Sequence, residues 1–81
     1  MNDKKKLVAA SAAYILGLSP DVKIKGGSEQ ITALQEVLVS SRTLYLSLRE
    51  NRENDIVVGD LEAKTLAAEK FKKVFGYHWP F

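Results

Sequence analysis

Between Ile31 and Leu48, Ile31, Leu34, Leu38, Ser41, Tyr45 and Leu48 recur at steps of three, four, three, four and three. That period puts them on one side of an α-helix, and Val37 and Leu44 widen the stripe. No Gly or Pro interrupts the run, and Gln35, Glu36, Arg42 and Arg49 fall off it. A helix with so broad an apolar face must cover that face, either with the rest of its own chain or with a second copy. The remainder of the sequence has to be arranged around it.

There is little remainder. At 81 residues the chain has room for one domain and one core. A chain this short buries only about 60% of its unfolded surface, and small domains usually add disulfides, metals or association. The sequence holds no Cys and one His, His78. Disulfides, thiolate metal sites and His-rich clusters are therefore excluded, which leaves close helix packing or association with another chain. The absence of Cys agrees with a reducing, cytoplasmic setting. Twelve Lys/Arg against ten Asp/Glu leave a net charge of +2, too mild by itself to demand a polyanionic partner.

Three lysines, Lys4, Lys5 and Lys6, precede an apolar run from Leu7 to Leu16. The order resembles the first two parts of a secretory leader, but no small-x-small cleavage site follows. The run is also far shorter than the ~20 residues that cross a bilayer. Residues 3–16 are expected to form a helix capped by Asn2 or Asp3 and stopped by Gly17, with Pro20 barring a restart. Its alanines, Ala9, Ala10, Ala12 and Ala13, let another helix approach closely.

Asp21 to Lys25 alternates apolar and basic residues, the period of a half-buried strand, and ends at Gly26-Gly27. Those glycines fit no phosphate-cradling fingerprint, lacking a third Gly and a Gly-Lys-Ser/Thr, and read as a turn into a helix capped by Ser28. That helix spans about 28–50. The polar stretch Arg49 to Asp55 that follows interleaves both charge signs and reads as a solvated end. Ile56-Val57-Val58 is β-branched and suits an extended segment. Residues 22–25 and 56–58 are expected either to pair in parallel as a minimal two-stranded sheet or to act as connectors packed under the helices.

A third helix is expected over 60–75, with Asp60 as its cap, Glu62 in the first turn, Lys70, Lys72 and Lys73 near its end, and Gly76 as its stop. Its inward face reads as Leu61, Ala67 or Ala68, Phe71, Val74 and Phe75. Tyr77-His78-Trp79-Pro80-Phe81 forms an aromatic tail in which Pro80 favours an extended Trp79. Either the tail folds back onto the core or it supplies contacts to a partner, where exposed aromatics concentrate binding energy.

No catalytic set emerges. Hydroxyls are present but a nucleophile needs an activating base, and the single imidazole sits in the tail. Glu62 and Glu69 lie one heptad apart and read as surface charge. The expectation is a mainly α, small three-helix domain with a long central helix and two short extended segments, with no enzyme activity, cofactor, membrane segment or small-molecule substrate. Its partner is a protein, in the first place a second copy, met through the central helix and tail by Tyr45, Trp79 and Phe81. The alternative is nucleic-acid binding, with Lys4, Lys5 and Lys6 joined by Lys70, Lys72 and Lys73 as phosphate contacts. Lys23, Lys25 and Lys64 add to the basic total. Against it stand the absence of a known reader motif and the preference for Lys over Arg.

Overall fold

The computed structural model describes residues 3–81 as three helices: α1 (Asp3–Ile15), α2 (Ser28–Arg49) and α3 (Asn54–Phe75). Of the two caps expected for α1, Asn2 lies outside the described residues. The other two helices begin without a side-chain cap on the backbone. At the start of α2, Gly27 takes the cap position instead of Ser28, and its N–H donates to Gln30 Oε1 at 3.3 Å.

All three helices stop by the same device. Gly17 adopts φ +82°, with Leu18 N–H bonding back to Ala13 C=O at 2.8 Å and Gly17 N–H to Tyr14 C=O at 3.0 Å. These paired bonds satisfy carbonyls that the end of a helix leaves open. Asn51 repeats the arrangement after α2 at φ 55°, with Arg52 N–H on Ser47 C=O and Asn51 N–H on Leu48 C=O. Gly76, also at φ +82°, closes α3 through a single bond to Lys72 C=O. The stops at Gly17 and Gly76 were legible in the sequence. The Asn51 stop was not.

The sheet is a correction. Among the described residues there is no strand. Residues 56–58 belong to the first turns of α3, which starts at Asn54, not at Asp60. β-branching costs a helix only a few tenths of a kcal/mol per residue, and tertiary contacts override it readily. α3 packs on α2, and just beyond Val58 the Ser47 Oγ of α2 donates to the Asp60 carboxylate. Asp60 is therefore spent across the helix pair and does not cap its own helix. With the 56–58 stretch helical, residues 22–25 have no strand to pair with, and they remain a connector. Their burial still alternates: Val22 and Ile24 pack against the core while Lys23 and Lys25 face solvent.

The core holds Ile15 from α1, Leu34, Val37 and Leu38 from α2, Ala67 and Phe71 from α3, and Trp79 from the tail. Phe71 is its centre. Phe75 stacks on it at 4.3 Å between ring centroids, and Tyr77 and Trp79 meet it edge-on at 5.3 and 4.9 Å. Such geometries add about 0.5–1.5 kcal/mol per pair to the area buried. The tail thus folds back, and the Trp79 indole N–H donates to the buried Ser41 Oγ at 2.9 Å. Ser41, the polar member of the α2 stripe, is the partner that lets a tryptophan enter the core.

The molecule measures 40 × 26 × 18 Å. At interaxial distances of about 8–10 Å, 18 Å accommodates two layers of helix and no third. Each helix therefore keeps a face in solvent, and large apolar side chains stay exposed. Leu61, expected inside, is one of them.

Candidate functional site

Among the described residues, two of the concave surfaces left around the filled core bear on function. The first is a groove between α2 and α3, lined by Gln35, Glu36, Val39 and Ser40 from α2 and by Ala63, Leu66, Ala67 and Lys70 from α3. Its walls are apolar: Val39 is 55% and Leu66 68% exposed, with the small Ala63 beside them. Glu36 and Lys70 form an ion pair at 3.2 Å along one side. Both ends of that pair are half exposed, so it contributes at most about 1 kcal/mol. It does, however, give the rim one charge of each sign.

The second is a cleft of about 740 Å³ enclosed by α1, the 22–25 connector, the start of α2 and the aromatic tail. Lys4, Lys6, Lys23 and Lys25 stand around it, over a floor made by Leu7, Val22, Ile24, Phe75 and Tyr77. No carboxylate lies among its described lining residues. The Lys4 ammonium sits over the Tyr77 ring, 4.5 Å from its centroid. Burial of Tyr77 raises the pKa of its phenol above the ordinary value of 10.0.

The connector that forms one wall of the cleft is held at its upstream end. No basic residue occupies the last turn of α1, and Arg42 of α2 supplies the missing charge. Its Nη1 donates to both Tyr14 C=O and Ile15 C=O at 3.0 Å. A cation at a helix C-terminus is favoured by the helix dipole as well as by the bonds themselves. Downstream, Ser19 Oγ donates to Asp21 C=O at 2.9 Å. Val22 and Ile24 then anchor on the core, and their alternation turns Lys23 and Lys25 outwards.

Of the residues expected to meet a partner, Trp79 is enclosed by its own chain, only 8% exposed, and is a core residue. Its indole had the choice of a partner or of Ser41, and Ser41 is in reach. Tyr45 is half-buried against the core. Phe81 is 42% exposed, lies edge-on to Trp79 at 5.5 Å, and its main-chain oxygen accepts from Lys64 Nζ at 2.7 Å. The α2 stripe is likewise divided. Leu34, Val37, Leu38 and Ser41 are buried within the chain, while Ile31 and Leu48 at its ends are exposed.

The expected lysine grouping is also redrawn. Lys4 and Lys6 line the cleft with Lys23 and Lys25, whereas Lys70 lies on the apolar groove, paired with Glu36. Lys5, Lys72 and Lys73 are exposed and line neither surface. Val39 and Leu66, off the stripe and off the expected inward face respectively, carried no signal that they would face each other. Lys23 and Lys25 did carry one, since their alternation with Val22 and Ile24 already put them on a common side.

Among the described residues no three His, Asp or Glu side chains come together in a way that could hold a metal ion, and no helix is long and apolar enough to cross a membrane. No family model, curated protein or solved structure matches this chain.

Proposed function

We propose that this protein is a non-enzymatic interaction module of the cytoplasm that pairs with a second copy of itself across the groove between α2 and α3. The observation that carries the reading is the exposure of Val39 and Leu66 on facing walls of one apolar groove. Removing apolar surface from water is worth roughly 25 cal/mol per Å², and a two-layer fold has no third layer of its own with which to cover these side chains.

A second copy suits the groove for reasons of charge. Glu36 and Lys70 give its rim one acid and one base, so two copies related by a two-fold axis can set each acid against the other copy's base. The α2–α3 pairs then stack face to face as a four-helix arrangement. This surface replaces the expected one: the middle of the α2 stripe is already occupied by α3 and the tail, and its outer flank, with Val39, takes over the role. Phe81, exposed at the edge of the aromatic cluster, is a large apolar side chain of the tail still open to a partner.

Light scattering over a wide concentration range tests the proposal. The expected result is a mass that rises towards that of a dimer, with Val39→Glu and Leu66→Lys each holding the protein monomeric at unchanged helical content. A monomer mass at every concentration overturns it.

A further inference from the structure

We infer that the lysine cleft is a binding site for single-stranded nucleic acid, held by its phosphates on the lysines and by its bases on the apolar floor. The site is separate from the groove between α2 and α3, shares no residue with it, and does not depend on the protein being a dimer.

Lysines that lie far apart in sequence, at the start of α1 and in the connector, are gathered around one depression with no described carboxylate in its lining. Like charges close together cost energy, and a polyanion that neutralises them gains their attraction and releases its own counterions. Lys6, Lys23 and Lys25 are all exposed and carry the electrostatic part of the argument; Lys4 is engaged with the Tyr77 ring and is counted only as a wall.

The choice of ligand follows from the remaining features. Lysine is a mobile point charge that takes a phosphate from many directions without bidentate geometry, and the described lining holds no arginine to read base edges, so the cleft suits backbone phosphates held without regard to sequence. An acidic peptide could meet the same ammonium groups, but only through scattered side-chain carboxylates, whereas a strand presents one phosphate per nucleotide along a continuous backbone. A free oligophosphate would use the ammonium groups but leave the floor of Leu7, Val22, Ile24 and Phe75 without a partner. A strand carries both phosphates and flat, weakly polar bases, which match rim and floor together. A duplex presents its phosphates on a convex surface and keeps its bases stacked inside, so a concave cleft closes around one strand more readily than around two. With lysine contacts only, sequence preference is slight.

Fluorescence anisotropy with a labelled oligothymidylate tests this, using the full chain. Single-strand binding loses about 0.7 in the slope of log K against log salt per phosphate neutralised, so three lysines give a slope of about −2. Affinity should then fall roughly fifteen- to twentyfold between about 50 and 200 mM salt. In K23Q/K25Q the slope should shrink to about −0.7, a loss of only roughly threefold over the same range. Both positions are exposed and outside the helices, so the circular dichroism spectrum should be unchanged. A duplex of the same length should bind more weakly. The inference is overturned if the oligonucleotide does not bind at low salt, or if K23Q/K25Q binds as the parent does. It is equally overturned if the duplex binds as tightly, or if tripolyphosphate or oligoglutamate of matched charge displaces the strand at equal concentration.

Discussion

The two ends of α2's partnership are held by different physics. Along its length against α3 and the tail, the contact is mainly apolar and aromatic, centred on Phe71 and closed by Trp79. Against α1 the apolar contribution is smaller, chiefly Ile15, and a polar hold is added: Arg42 grips the last carbonyls of α1, and a left-handed Gly17 turns the chain away. The difference shows how a chain this small divides its labour. It concentrates its large aromatic side chains in one cluster and supplements the apolar contacts of α1, Ile15 among them, with hydrogen bonds from a single long side chain. Burial is cooperative, so damage to the aromatic side should be felt throughout. A polar tether is local, so damage there should be felt mainly in α1 and in the connector that shapes the lysine cleft.

The strongest way to break this contrast is Trp79→Ala. It should cost about 3–5 kcal/mol in urea unfolding followed by circular dichroism, because it opens a cavity beside Phe71 and orphans Ser41. With total stabilities of about 5–15 kcal/mol for small domains, that is a large share of the whole, and all three helices should melt together at lower urea. A loss confined to the tail, with the midpoint unmoved, would refute the central place given to Trp79.

Arg42→Met comes next. It keeps much of the aliphatic stem and removes both charged bonds to Tyr14 and Ile15, at an expected cost of about 1.5–3 kcal/mol. Hydrogen exchange should locate the effect, with faster exchange in the last turn of α1 and at Leu18 and little change in the middle of α2 and α3. Uniform acceleration in all helices would show that the tether is as global as the core.

Gly17→Ala should follow at about 1–2 kcal/mol. An L-residue is strained at φ +82°, and its Cβ would stand 3.1 Å from Arg42 Nη1. Thermal unfolding of the single variant and of the double variant with Arg42→Met separates the two contributions. If strain alone acts, the costs add; if crowding of Arg42 matters, the double variant is less unstable than the sum.

The smallest effect concerns pH. Burial raises the pKa of Tyr77, so the folded state holds its phenolic proton more tightly than the unfolded chain does. This contribution is complete below the ordinary tyrosine value of 10.0 and is lost as pH rises through the higher folded value. Tyr77→Phe keeps the ring beneath Lys4 and removes only the hydroxyl, so the comparison isolates the phenol. The parent should lose slightly more stability than the variant above pH 10.0.

The sequence by itself determined the helical class, the extent of α1 and α2 to within a residue, and the stops at Gly17 and Gly76. Those properties are local: a 3.6-residue period and a backbone position that suits glycine can be read without knowing what lies opposite. It also showed that Val22 and Ile24 share one side and Lys23 and Lys25 the other, since alternation is local too. Tertiary structure alone decided the rest. Ile56–Val58 became helical as the first turns of α3, the helix that packs on α2, which outweighs a weak β-branched preference. Trp79 became core because Ser41 lies where its indole N–H needs an acceptor. Lys4 and Lys6 joined Lys23 and Lys25, and Val39 came to face Leu66, because the packing of α1 and α3 on α2 set which surfaces converge. Convergence depends on distances between residues far apart in the chain, and neither period nor propensity encodes those distances.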